Sequence, residues 1–330
     1  MTVESSQDAA PIHRNPGSEP GLRHFEGFEA VLAVAGFPVL ISLTIGIAIL
    51  GIHRGMDPNL ATLGLIVAGY ALLAVAEQLW PLHRSWLHSH GDLRTDIGLA
   101  LTNGVIAGML SPILLAAVGV AAAWLSAALG SGLWPANWPL LAQLALALFI
   151  AEFVEYSFHR LWHEVPWLWP IHATHHSAPR LYWLNAARFH PIDLFAVGSL
   201  KMVPLAMLGA GLPIFALVNL FSAIHGAYQH SNVPVRLGPL NWIFSMAELH
   251  RWHHSKNIEE ANTNYGGNLI LWDVIFGTRF LPDDREPPEE IGIEDLPGFP
   301  MGFWANIASP FRWKQLSEEA ADPNAPDAAR

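Results

Sequence analysis

Apolar residues run through this chain in long blocks separated by short polar interruptions. From Phe28 to Ile52 the only charged residue is Glu29, at the very start, and from Leu60 to Trp80 it is Glu77, near the end. The stretch Ile97–Ala151 contains no Asp, Glu, Lys or Arg. As one helix that stretch would be roughly 80 Å long at about 1.5 Å per residue, far beyond a bilayer core of about 30 Å. The Gly130–Pro135 punctuation predicts a split into two spans, and Pro112 a kink in the first. A last apolar region, Leu194 to Tyr228, carries only Lys201 as a formal charge and is broken at Pro204 and at Gly209–Pro213. Each half is short for a full crossing, which predicts a membrane hairpin of two short or tilted helices, or a re-entrant pair. The expected fold is therefore an all-α integral membrane protein with about four transmembrane helices, a membrane hairpin and a histidine-rich helical cap.

Four regions follow. Residues 1–27 mix Pro, Gly, Ser and charges and read as a flexible tail without the basic start and cleavage site of a signal peptide. Residues 28–137 hold the N-terminal transmembrane helices, and 138–281 the histidines discussed below. Residues 282–330 form an acidic, Pro-rich extension, expected to be cytoplasmic and partly disordered towards Arg330. Lys and Arg in short loops set orientation. Arg84 and Arg94 lie between the second and third spans, Arg160, Arg180 and Arg188 follow the fourth, and the 130–138 loop has none. This predicts a cap facing the cytoplasm, in a bacterial inner membrane.

Composition sharpens the picture. Of 330 residues 52% are hydrophobic and only 14% charged, against about 25% charged in ordinary soluble domains. A net charge of −11 counts against nucleic acid as a partner. With no cysteine, disulfides, iron–sulfur clusters, cysteine zinc sites and thiol nucleophiles are excluded. Histidine is abundant, with 17 copies.

Their placement carries the chemistry. His159 and His163 are four apart, while His172, His175 and His176 are spaced i, i+3, i+4, a spacing that His250, His253 and His254 repeat. Such positions neighbour one another on a helix face, so each cluster is a metal clamp if its segment is helical, and Pro170 suits the first turn of the second. A hairpin that enters and returns would leave all three clusters on one side of the membrane. Eight imidazoles exceed one coordination sphere and fit two ions; ligand type alone leaves Zn, Cu, Fe and Ni open. His83, His88 and His90 read as solvated interfacial residues, and His13, His24 and His53 as incidental. Arg160, Arg188 and Arg251 read as snorkelling side chains.

Three boxes in this order around a membrane hairpin resemble the fatty acid hydroxylase / sterol desaturase superfamily of membrane di-iron oxygenases. The match runs from Glu152 through His159 and His163, His172–His176 and Phe189-His190-Pro191 to His250–His254, and closes with Asn264-Tyr265-Gly266-Gly267, Leu271-Trp272-Asp273 and Phe276-Gly277-Thr278. It covers roughly 140–280. The resemblance implies two non-haem ferrous ions, O₂ as co-substrate, and hydroxylation or desaturation of an unactivated C–H bond in a bilayer lipid. It implies His230 as a further ligand and His225 as another candidate, with His190 as a ligand or as the partner of one. Glu152, Glu155, Asn185 and Asp273 are candidates to accept hydrogen bonds from ligating histidines. Electrons would come from a separate ferredoxin or cytochrome-type donor with its reductase. Substrates across the superfamily include fatty acyl chains, ornithine-type aminolipids, ether lipids, sterols and carotenoids, and the segment 237–278 is most similar to the alkylglycerol monooxygenase and bacterial sterol-desaturase-like branches.

Two other classes compete. A dinuclear zinc membrane hydrolase would ordinarily show HExxH, but here Arg160 follows the first histidine and Glu164 the second. A metal transporter or bis-histidine haem protein would place its ligands inside the spans.

Overall fold

The computed structural model describes residues 23–129 and 132–321, and within them every regular element is helical apart from two isolated β-bridges. Most of the 1–27 tail, the Gly130-Ser131 step and residues 322–330 lie outside the described residues. Four long helices come first: α1 Gly27–His53, α2 Pro58–Leu79, α3 Leu93–Leu129 and α4 Leu140–Glu164. Each is long and apolar enough to cross a membrane, as is the stretch Pro191–Leu208. Asp57 starts α2 by accepting from the backbone N–H groups of Asn59 and Leu60, with Pro58 in the first turn.

The short helix α5 (Trp169–His176) follows α4. The hairpin then descends through α6 (Pro191–Leu200) and α7 (Val203–Leu208) and returns as α8 (Leu212–His230). Gly209, at φ +89°, ends α7 in a left-handed conformation that glycine adopts without a Cβ penalty. The start of α6 and the end of α8 therefore sit on the same side, beside the end of α4. The short helices α9 (Ala247–His253), α10 (Ile258–Ala261) and α11 (Leu271–Phe276) complete the cap on that side.

The hairpin is the centre of the bundle rather than an addition to its edge. Leu217, Leu220, Phe221 and Ile224 of α8 are buried against Phe37 and Ile41 of α1, Leu73 of α2, and Leu144 and Ala147 of α4. Gly69 lets α2 and α8 approach closely, since a Cβ there would lie 2.2 Å from Cδ1 of Ile224. By contrast α3 keeps Leu101, Val105, Met109, Ile113, Val120 and Trp124 exposed along its length. Such a surface on a helix long enough to span a bilayer suits contact with lipid.

The segment after Leu281, expected as an acidic extension, is ordered against the cap over most of its length. Ile291, Leu296 and Phe299 are buried, and α12 (Phe303–Ala308) and α13 (Trp313–Ala321) follow. Between Leu281 and α12 single apolar residues set among prolines and acids anchor it without a helical or strand period, whereas α13 packs Trp313, Leu316 and Ala320, at helical spacing, against the cluster that holds Leu296 and Phe299.

Candidate metal centre

Short helices place the histidines. His159 and His163 occupy the last turns of α4, and α5, opened by Pro170, is barely longer than the cluster it carries. His230 is the final residue of α8, and α9 carries His250 and His253 with His254 as its C-cap.

These side chains form two groups. In the first, His159, His163, His172, His176 and His253 each offer one ring nitrogen, all within 4.8 Å of one another; in the second, His175, His230, His250 and His254 do the same. The i, i+4 pair of each three-histidine box stays on one face, and the third histidine turns to the other. Thus His172 and His176 face the first group while His175 faces the second. The third box reverses the assignment, with His250 and His254 in the second group and His253 in the first. The groups are contiguous: the His176 and His254 rings stack at 4.6 Å between centroids.

Hydrogen bonds fix the tautomers. His159 Nδ1 donates to the Tyr265 carbonyl at 2.6 Å, His253 Nδ1 to that of Thr263 at 2.7 Å, and His230 Nδ1 to that of Gly226 at 2.8 Å. His175 Nδ1 donates to the Arg188 carbonyl at 3.2 Å, His163 Nδ1 to Asn262 Oδ1 at 3.1 Å, and His172 Nδ1 to Asp193 Oδ2 at 2.7 Å. Carbonyl and carboxylate oxygens only accept, so Nδ1 carries the proton and Nε2 of each neutral ring presents a lone pair.

Those lone pairs face one another. Nε2 of His159 lies 3.0 Å from Nε2 of both His172 and His253, and Nε2 of His230 lies 2.9 Å from that of His250 and 3.3 Å from that of His175. Nε2 of His163 and of His176 is buried with no hydrogen-bond partner among the described residues. Protonating the rings is disfavoured: burial, reinforced by the surrounding imidazoles, holds His175, His176, His250, His253 and His254 well below the ordinary histidine value. Each unsatisfied buried acceptor costs about 1–3 kcal/mol. A cation at the focus of each group removes that cost, so the donor set fits two metal ions with five and four imidazoles.

The remaining candidates fall outside these groups. His190 caps α6: its Nδ1 accepts from the Ile192 N–H at 3.2 Å and its Nε2 donates to the Ile307 carbonyl at 3.2 Å, which uses both nitrogens. His225 is fully buried, with neither nitrogen bonded among the described residues, and its ring lies 5.2 Å from that of Phe37 and 5.7 Å from that of Phe221. Its five-residue separation from His230 turns it away from the second group.

Glu152, Glu155, Asn185 and Asp273 make no hydrogen bond to a histidine of either group. Asp273 accepts from the backbone N–H groups of Tyr265 and Gly266, both at 2.8 Å, and so shapes the loop whose Tyr265 carbonyl holds His159. Glu152 and Glu155 both accept from Asn268, and Glu155 also pairs with Lys201 Nζ at 3.0 Å. Asn185 donates to Asp96, which forms a fully buried ion pair with Arg188, whose carbonyl holds His175. Arg188 is thus a core residue rather than a snorkelling one. So is Arg251, which donates to the carbonyls of Ser231 and Val233. Sequence reasoning missed Asp193 as the carboxylate partner of His172. Its one signal was a charge in the first turn of an apolar helix, three residues after His190.

Membrane-spanning helices whose cap gathers nine imidazoles around two adjacent points define an integral membrane protein with a candidate dinuclear metal centre. The fatty acid hydroxylase family model matches residues 144–278. Ornithine lipid hydroxylase OlsE of Rhizobium tropici is 42% identical over 252 residues, covering 75% of this chain and 75% of the relative. Alkylglycerol monooxygenase of Xenopus tropicalis is 30% identical over 207 residues, 61% of this chain and 44% of the relative. Human cholesterol 25-hydroxylase is 28% identical over 146 residues, 42% of this chain and 52% of the relative. No solved structure matches. The chain belongs to the fatty acid hydroxylase family.

Proposed function

We propose that this protein is a membrane lipid hydroxylase that inserts one oxygen atom of O₂ into an unactivated C–H bond, using two irons. The observation that carries this reading is the pair of adjacent all-imidazole groups, five and four strong, on the cap side of the bundle. The three relatives named above are hydroxylases or monooxygenases and support an oxidoreductase, and one of them, covered over 75% of its length, is an ornithine lipid hydroxylase. The proposed substrate class is accordingly an aminolipid of the ornithine type. The second oxygen atom leaves as water, which requires two electrons and two protons. The electrons come from a separate ferredoxin or cytochrome-type protein with its reductase.

Iron bound by the nine histidines supplies the activation of O₂. The chain's residues do the rest. Nδ1–H donation to Tyr265, Thr263, Gly226, Arg188, Asn262 and Asp193 holds six imidazoles with Nε2 forward, so ligand geometry is set before an ion arrives. Phe189, stacked on His175 at 4.0 Å between ring centroids, closes one wall against water. Helix ends as the site's location suit a substrate that keeps its chains in the bilayer. Positive charge in the cap-side loops supports a cap facing the cytoplasm from a bacterial inner membrane. A haem reading fits poorly, because haem iron offers only two axial positions, whereas five and four imidazoles converge here.

Two measurements, one on the purified protein and one on cells that make it, test the proposal. Metal analysis of the purified protein should return two irons per chain without a Soret band. Lipid mass spectrometry of cells with and without the chain should show ornithine-type lipid gaining one oxygen. Zinc in place of iron with an unchanged lipid profile would overturn it, and loss of two hydrogens instead of oxygen gain would make the enzyme a desaturase.

A further inference from the structure

The segment after α11 lies beyond the region matched by the family model, and part of it has a surface unlike the rest. Residues 303–311 read Phe-Trp-Ala-Asn-Ile-Ala-Ser-Pro-Phe, with no charge, inside an otherwise acidic stretch, and Arg312 and Lys314 follow at once. The polar side chains of this run turn inward: the Asn306 amide donates to the Pro300 carbonyl, Ser309 Oγ donates to that of Asn306 at 2.8 Å, and Asn306 Oδ1 is buried without a partner among the described residues. What faces outward is aromatic. Trp304 and Phe311 are each 78% exposed, the largest exposure among the bulky apolar side chains described.

The position of the run identifies what covers it. Phe303 packs on Gly98 of α3, where a Cβ would lie 2.8 Å from its ring, and its ring is 4.9 Å from that of Trp304. Gly98 is five residues into α3, about 8 Å along its axis, beside the exposed Ile97 and Leu101. At the other end, Phe311 lies 6.4 Å from the His190 ring, which caps α6 next to the exposed Ile192. The run therefore bridges the cap-side ends of α3 and α6 at the level where both enter the apolar layer, and its exposed face continues their lipid-facing surfaces. Tryptophan with an adjacent cationic edge suits the headgroup boundary, where the ring meets chains and the cations meet phosphate.

We propose that residues 303–312 lie in the interfacial layer of the membrane that the chain spans, anchored by Trp304 and Phe311. The His190–Ile307 hydrogen bond then ties this contact to the start of α6, the helix that carries Asp193.

The absence of cysteine permits a direct test. Single variants Trp304→Cys and Phe311→Cys would carry an environment-sensitive nitrobenzoxadiazole probe in nanodiscs of phosphatidylcholine and phosphatidylglycerol, one chain per disc. Glu318→Cys, at a side chain 68% exposed on α13, is the control. The expected result is blue-shifted emission at both aromatic positions, quenching by headgroup-proximal spin-labelled lipid, and several-fold weaker iodide quenching than at the control. Equal iodide quenching at all three positions overturns the proposal, as does shielding from iodide without quenching by lipid, which would indicate a protein partner. Hydroxyl-radical footprinting of the unmodified chain in the same discs guards against misfolded variants: Trp304 should be oxidised no faster than the lipid-facing Trp124, and faster oxidation counts against the anchor. Neither readout needs metal or turnover, so the outcome is independent of the proposed hydroxylase activity.

Discussion

Asp193 accepts a hydrogen bond from Nδ1 of His172 at 2.7 Å, with both side chains only 2% exposed. The carboxylate fixes the ring's tautomer and raises its basicity towards a metal. Removing such a partner typically weakens metal affinity 10–100-fold. Asp193→Ala should therefore lose metal from the first group at chelator concentrations that leave the parent protein loaded. Titration with a competing chelator, followed by metal analysis, would show it; an unchanged titration would mean that the contact does not tune the site.

The alternation of the boxes allows the two groups to be separated. His253→Ala removes an imidazole from the five-histidine group and His250→Ala one from the four-histidine group. Each should lower metal content and abolish lipid oxidation while the chain remains membrane-inserted. His225→Phe, which exchanges one buried ring for another among Phe37 and Phe221, should keep its full metal complement. Full activity in either alanine variant would be incompatible with a dinuclear centre.

Gly267 leaves room for a carboxylate. A Cβ there would lie 2.4 Å from Cδ of Glu155 and 2.5 Å from its Oε1, and that carboxylate is held by Lys201 and Asn268. Gly267→Ala must push the pair apart or shift the loop that carries Tyr265. Overpacking of this kind costs about 1–3 kcal/mol. Thermal unfolding in detergent should show the loss, and metal affinity should fall with it because the Tyr265 carbonyl positions His159.

The Asp96–Arg188 pair is buried completely. Asp96→Ala strands a guanidinium, and breaking one side of a buried pair costs about 3–5 kcal/mol. Asp96→Ala combined with Arg188→Met should recover part of that loss, and a double-mutant cycle on unfolding midpoints would measure the coupling.

Much of this organisation is written in local pattern. Apolar blocks with at most one charge, about as long as a bilayer core is thick, mark the spans, and the expected segments 28–52 and 60–80 appear as α1 and α2 within two residues at each end. Histidines at helical spacing mark the clusters because a helix face depends only on neighbours in sequence. The partners that orient the rings are another matter. Four of the six Nδ1 acceptors are backbone carbonyls, which every residue possesses and which carry no identity in a sequence. The stretch from Leu281 to α12 was hidden for a related reason: its anchors, Ile291, Leu296 and Phe299, are single apolar side chains without a period.

By itself the sequence determined the all-helical membrane architecture, the three boxes and the absence of any sulfur ligand from cysteine, all properties of composition and short-range spacing. Tertiary structure alone decided how the boxes divide between two points, that Asp193 rather than Glu152 or Asp273 meets a ring of the two groups, and that His190 and His225 stand apart. Those outcomes depend on where a returning hairpin sets α8 and α9 against α4 and α5, and distance between remote segments is fixed by packing rather than by spacing along the chain.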